Sequence, residues 1–490
     1  MTEVAAEVVA GEAEAGVRFD LSTFARSAGL LSLGSVANLL RAVVAAKLYA
    51  VALGPSAVGI LVQLLNFAAF VSTIIPLGLT TGVAKLVAQA DSDERMTSRV
   101  VGSAALLSVG SALAACVVLL PASGHISFVL TGSARYQPLV GLLILSFPLY
   151  NLSGAVGYVL QGMSAVRRLT RASVANAAAT LAVLVPATLA FGLAGTIASV
   201  LIGSVVQSFV YIGELWLAYR ERRWRLDAVR AARSESRLLL GFGTVLLLGG
   251  IANWGSLLIV RTVLVRTLGE HDNGLYQSVY GFSSQYIAMF MTWMAAYVFP
   301  RIAARGPRQL DELLNSALRA NLFLMVPVLC VVTSLRGPLI QVLYSHAFLA
   351  AAPLVPVQVL GDYVRVLGWS LGVAFFALGR VRTHLLLIAG QNALWVLFAV
   401  ALMPHVGLPG ISAAYALSFV WWPLLAFPLL RSWFGFRLTA ASWWLTGAGL
   451  AAVAAASFLP QPLGAVAIPI VPLAVLLQRR LSVPTANPAP

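Results

Sequence analysis

Apolar runs follow one another along nearly the whole chain, each close to the 20 or so residues that cross roughly 30 Å of hydrocarbon as a helix. They fall at approximately 24–52, 57–82, 99–120, 138–161, 171–191, 194–218, 238–265, 274–299, 315–335, 354–379, 384–403, 408–430, 441–459 and 463–478. Polar residues and arginines gather in the short breaks between them. An open strand in lipid leaves its backbone groups unpaired, so every run reads as a helix. The expected fold class is an all-α polytopic membrane protein with about 14 transmembrane helices.

The pattern also repeats. Shifted by 215 residues, LGSVANLL (33–40) falls on LGGIANWG (248–255) and LGPSAVG (53–59) on LGEHDNG (268–274). Phe67 meets Phe282, and GLAG (192–195) meets GLPG (407–410) at the same offset. Six runs per unit give both copies one orientation, so two six-helix lobes are expected, related by a pseudo-twofold along the membrane normal, with a substrate site between them. The expected organisation is a disordered acidic cytoplasmic tail (1–20), an N-terminal lobe (21–219), a basic cytoplasmic linker (220–237) and a C-terminal lobe (238–432). Two extra helices (433–480) and a cytoplasmic tail (481–490) complete it.

Charge orients this arrangement. With the N-terminus in the cytoplasm, the far side receives Arg135, Arg266 and Arg336, and four cations fall inside spans, which leaves 25 of the 32 Lys and Arg on the cytoplasmic side. That bias is the positive-inside pattern, with both termini inside. The net charge of +15 is therefore spread over short loops rather than over a nucleic-acid surface. The acidic start lacks a basic n-region followed by an apolar h-region, so no cleaved signal is expected. Only 10% of residues are charged, too few to cover a soluble protein of this size. Cys116 and Cys330 lie within apolar runs, and the five histidines are scattered over breaks. No GxxxxGK[ST] phosphate loop, HExxH or paired-cysteine motif occurs, so no cofactor, metal or enzymatic activity is expected. A membrane glycan transferase would carry a long extracytoplasmic loop, and the longest here has about 18 residues.

The cations inside spans carry the functional signal, because each costs at least about 2.5–3.5 kcal/mol at mid-membrane. Arg41 lies near the middle of the first run with Asn38 one turn before it, a polar stripe that lines a cavity or bonds a neighbouring helix. Lys47 is turned about 120° away and sits about 9 Å further along, where it faces a cavity or snorkels to the interface. Arg261 aligns with Ala46 under the repeat, which gives Lys47 and Arg261 nearly equal depth in the two lobes. In LGDYVRVLGW, Asp362 and Arg365 are one turn apart, either a self-cancelling pair or a titratable coupling element. The repeat places Tyr150, beside Asn151, opposite Arg365. GLYQSVYGFSSQY (274–286) adds Gln277, Tyr280, Ser284 and Gln285, groups that suit sugars and also glue helices together.

Four stretches carry a family resemblance: KLYAVALGPSAVGI (47–60), GVAKLVAQ (82–89) running into RVVGSAALLSVG (99–110), GLYQSV (274–279), and LGDYVRVLGWSLG (360–372). From about residue 22 to 435 the chain resembles the Wzx-type O-antigen and enterobacterial common antigen translocases of the multidrug/oligosaccharidyl-lipid/polysaccharide exporter superfamily. Lipid II flippases would place an acid directly after the first-helix arginine, and here that residue is Ala42. The resemblance implies flipping of an undecaprenyl-pyrophosphate-linked oligosaccharide across the bacterial inner membrane, by alternating access and with proton coupling. It carries over Lys47, Lys85, Arg261, Asp362 and Arg365; Arg41 stands outside the matched pattern. The expected site has Lys47, Arg261, Arg365, Arg41 and Lys85 on the diphosphate. Asn38, Asn253, Tyr150, Asn151, Gln277 and Tyr280 face the sugars, and Asp362 gates by protonation. The expected partners are the lipid-linked oligosaccharide, the bilayer and a polymerase/chain-length complex, around a monomer. A cation/drug antiporter of the same superfamily predicts acidic cavity residues instead, and a non-transporting assembly scaffold predicts that cavity charges are dispensable.

Overall fold

A computed structural model describes residues 21–76, 79–90, 93–224, 231, 235–236, 239 and 244–459. The expected tails at 1–20 and 481–490, the last span at 463–478 and most of the basic linker lie outside these residues. The first lobe comprises α1 (Leu21–Ala52), α2 (Gly54–Ile74), α3 (Leu79–Gln89), α4 (Glu94–Leu119), the short α5 (Ser123–Thr131), α6 (Gln137–Gly162) and α7 (Val166–Glu221). The second comprises α8 (Thr244–Thr267), α9 (Glu270–Trp293), the short α10 (Phe299–Arg305), α11 (Leu310–Ser334) and the short α12 (Arg336–Leu343). It continues with α13 (Val355–Ala377), α14 (Val381–Val406) and α15 (Pro409–Phe434); α16 (Ala440–Phe458) follows and packs on α11 and α13.

Twelve helices among the described residues are long and apolar enough to span a bilayer. One of them, α7, is two helices that meet at Gly192, whose backbone (φ 57°, ψ −134°) is not helical. Only glycine takes that conformation cheaply. Its repeat partner Gly407 does the same between α14 and α15 (φ 71°, ψ −147°). The two conserved-offset GLxG stretches are therefore equivalent hairpin turns. The run expected over 57–82 is instead two helices, because Pro76 has no N–H to continue the ladder. Lys85 consequently sits on the separate α3.

The lobes meet along α2, which packs against α8 and α9. At the end of the bundle where α1 finishes, here called distal, Gly59 and Gly274 cross. A Cβ on Gly59 would lie 1.8 Å from the Glu270 carbonyl oxygen, and one on Gly274 would lie 1.9 Å from that of Pro55. Residues 55 and 270, like 59 and 274, are separated by the repeat offset of 215. The contact is thus reciprocal, as a pseudo-twofold interface requires.

Candidate functional site

A cavity of about 440 Å3 opens between the lobes, walled by α1 and α2 on one side and α8 and α9 on the other. Arg41, Asn66, Asn253, Arg261, Gln277 and Tyr280 contribute its polar lining, and no carboxylate belongs to the described residues that line it. Arg41 is half-buried, and its Nε has no partner. The Asn66 amide nitrogen is likewise buried and unpartnered. Ser284 and Gln285 also reach the wall.

Arg261 reaches that wall from the α8 side. It is fully buried, and donates from Nη1 to Asn273 Oδ1 (3.0 Å) and from Nη2 to Gln277 Oε1 (2.5 Å). The rings of Tyr276 and Tyr280 stand 5.3 and 5.2 Å from its guanidinium carbon, cation–π distances. Its Nε is unpartnered. Amide oxygens and ring faces solvate this charge without cancelling it. Asn273 also donates to the Gly59 carbonyl (2.7 Å), so the ligand shell of Arg261 is tied to the opposite lobe.

The other expected cations are placed differently. The Lys47 ammonium donates to the carbonyls of Gln341 (2.9 Å) and Tyr344 (2.6 Å), at the C-terminal end of α12. A cation is favourable at the negative end of a helix, and the contact joins the two lobes. Lys47 does not line the cavity, because those carbonyls hold it aside. Arg365 donates to the Tyr415 hydroxyl (2.8 Å) and stacks on Trp369 (4.2 Å) and Phe419 (5.0 Å), within the second lobe and outside the cavity. Asp362 is fully buried and accepts from Ser283 (2.7 Å), Tyr415 (2.7 Å) and Tyr286. Tyr415 therefore relays between Asp362 and Arg365, which the one-turn spacing had suggested would pair directly. Asn38 is spent on the Gly34 carbonyl within its own helix (3.0 Å), although its repeat partner Asn253 lines the cavity. Lys85 is exposed on α3, away from the cavity lining.

A family model described as "Polysaccharide biosynthesis protein" matches residues 50–353, a span that includes Asn66, Arg261 and the whole α2–α8–α9 seam. The chain belongs to the polysaccharide biosynthesis protein family. Over 387 residues it is 23% identical to the lipid III flippase of Escherichia coli (strain K12), covering 76% of this chain and 90% of that protein, and equally to the lipid III flippase of Shigella flexneri. The fold is similar to that of an inward-facing multidrug resistance MATE family transporter of the MOP superfamily (TM-score 0.69, 17% identity, 83% of this chain and 94% of that chain). It is also similar to a MOP superfamily transporter from Pyrococcus furiosus whose binding pocket is described as of reverse polarity (TM-score 0.59, 17% identity, 84% and 94%). These structures share the architecture, all-helical and multi-pass.

In this polysaccharide biosynthesis protein a second cavity of about 290 Å3 adjoins the first, and Trp254 lines both. Tyr150 and Asn151 lie here, apart from Gln277 and Tyr280. Asn66, Asn273 and Trp254 belong to the candidate site and were not singled out from the sequence. Asn66 had a usable signal, a lone amide inside an apolar run.

Proposed function

We propose that this chain flips an undecaprenyl-pyrophosphate-linked oligosaccharide, an O-antigen or related surface-polysaccharide repeat unit, from the cytoplasmic to the outer face of the bacterial inner membrane by alternating access. The observation that carries the reading is an inter-lobe cavity whose charged lining is Arg41 and Arg261, with no carboxylate among the described residues beside them. A diphosphate cannot enter hydrocarbon unpaired. Arg41 meets it directly, and Arg261 engages it once Gln277 swings aside, exchanging an amide ligand for an anion. The oligosaccharide travels in the cavity while the prenyl tail stays in lipid. Likeness to lipid III flippases supports the substrate class. Both termini are assigned to the cytoplasm on the arginine bias, and Lys85, on that side, meets the diphosphate at entry. Lys47 and Arg365 are left out of the cradle because carbonyls and Tyr415 already hold them. Asp362, linked to Arg365 through Tyr415, is assigned to proton coupling.

The MATE-like fold also suits a cation antiporter, but that activity needs an acid in the cavity, and Asp362 stands outside the cavity lining with its oxygens held by three hydroxyl groups. Deleting the gene tests the proposal. Intact lipid-linked glycan should accumulate on the cytoplasmic leaflet while surface glycan is lost. Normal sidedness, in a strain without a second flippase, would end it.

A further inference from the structure

The two adjoining cavities differ in chemistry. The inter-lobe cavity holds Arg41 and Arg261, whereas no charged side chain belongs to the described residues lining the second, which α2, α3, α4, α6 and α7 enclose. Its polar lining includes Ser72, Ser108, Tyr150, Asn151, Tyr158 and Gln207. Two of these are held in place. Gln207 donates from Nε2 to the Ser153 hydroxyl (2.9 Å), which itself donates to the Tyr150 carbonyl (2.7 Å), and Asn151 donates from Nδ2 to the Phe147 carbonyl (2.9 Å). The bonds from Gln207 and Asn151 each fix an amide while using one of its two N–H donors, so a carbonyl oxygen and a second N–H remain on each, beside hydroxyls that donate or accept. At the junction Trp254 forms part of both walls. An indole face covers the C–H face of a pyranose, and its edge tolerates polar neighbours.

We propose that the second cavity is a glycan subsite for an uncharged, polyhydroxylated stretch of the oligosaccharide, and that Trp254 stacks on the sugar bonded to the diphosphate. This deepens the flippase reading and rests on it. The order of the chambers matches the covalent order of such a substrate. The cations take the diphosphate, the indole takes the first ring, and the neutral chamber takes those beyond. Each sugar hydroxyl brought in from water needs a replacement partner, and a chamber of fixed amides and hydroxyls supplies them without charge. The N-terminal lobe thus selects the glycan, while the seam between lobes selects the diphosphate common to all such lipids.

The test measures binding by the purified full chain in nanodiscs to two probes. One is undecaprenyl pyrophosphate; the other is the lipid-linked glycan extracted from cells lacking the gene. Gln207→Leu and Trp254→Ala are expected to weaken the glycan-bearing lipid about tenfold, the loss of one or two fixed contacts, and to leave the bare lipid unchanged. Trp254→Phe, which keeps a ring face, should restore most of that loss, and a purely structural role of the indole would instead lower binding of both probes in Trp254→Ala. Arg261→Ala should weaken both probes alike. Equal losses for both probes in Gln207→Leu and Trp254→Ala, or no loss for either, would overturn the subsite while leaving the flippase standing. Failure of the wild-type chain to bind either probe would remove the flippase reading, and the subsite with it.

Discussion

At Arg261 a full positive charge is kept from water by two amide oxygens and two tyrosine faces. Such a shell stabilises the cation and leaves its charge available to an anion. Arg261→Ala should remove a charge-assisted contact worth about 1.5–3 kcal/mol, and lower glycan export roughly 10- to 100-fold at equal protein level. Arg261→Lys should recover part of this, since it restores charge but not the fork that reaches Asn273 and Gln277 together. Quantified surface glycan against immunoblotted protein decides it, and normal export by the alanine variant would refute the electrostatic argument. Asp362→Asn makes a separate test. The carboxylate accepts from three hydroxyls, and the asparagine amide turns one of those acceptors into a donor that cannot titrate. Transport by wild type should vary with pH, and transport by Asp362→Asn should not; parallel profiles would exclude Asp362 from coupling. The cost of ionisable groups in lipid made Arg41 and Arg261 legible in the sequence. The same cost flagged Lys47 and Arg365, yet their partners are supplied by residues 294 and 50 positions away. Short-range spacing holds no record of such partners.

Helix pairing turns on α2 and α9, the elements whose glycines cross at the distal end. The shift of 215 that places Gly59 on Gly274 was visible in the sequence, but the crossing of the two was not, because an offset says which residues are equivalent and not which ones touch. A single methyl at either position would overlap a backbone carbonyl that cannot move away, an overpacking cost of about 1–3 kcal/mol. Gly59→Ala and Gly274→Ala should each pry the distal seam open and impair transport to a similar extent, as the reciprocal contact demands. Gly110→Ala, with open space around it, should do neither. A cysteine replacing Val43 in the cavity wall, in a chain lacking Cys116 and Cys330, reports this through labelling by an impermeant maleimide added outside. Labelling should rise in both seam variants. Unchanged labelling would mean that the crossing does not close the cavity.

Over the whole molecule, polar ties between the lobes gather at that distal end. Gln63 donates to Thr262 (2.7 Å), Arg266 donates to the carbonyls of Phe128 (2.5 Å) and Val129 (3.2 Å), and Glu270 takes Arg135 (3.3 Å) and Tyr136 (3.0 Å). Lys47 adds its bonds to the end of α12. Exposed ion pairs such as Arg135–Glu270 are worth about 0–1 kcal/mol each. Several small ties suit the proposed alternating access, in which this seam opens and reseals between two states within a few kcal/mol of each other. Breaking one tie should therefore matter little, and making one permanent should matter greatly. Arg135→Cys with Glu270→Cys, in the background lacking Cys116 and Cys330, places a thiol on each lobe at this seam. Bridging them with a short, reducible bis-thiol reagent should arrest glycan export, and a reductant should restore it. Each single-cysteine chain treated alike should keep exporting. Export that continues with the bridge intact would mean that the lobes do not separate at the distal end during transport, and alternating access between them would have to be abandoned for this chain.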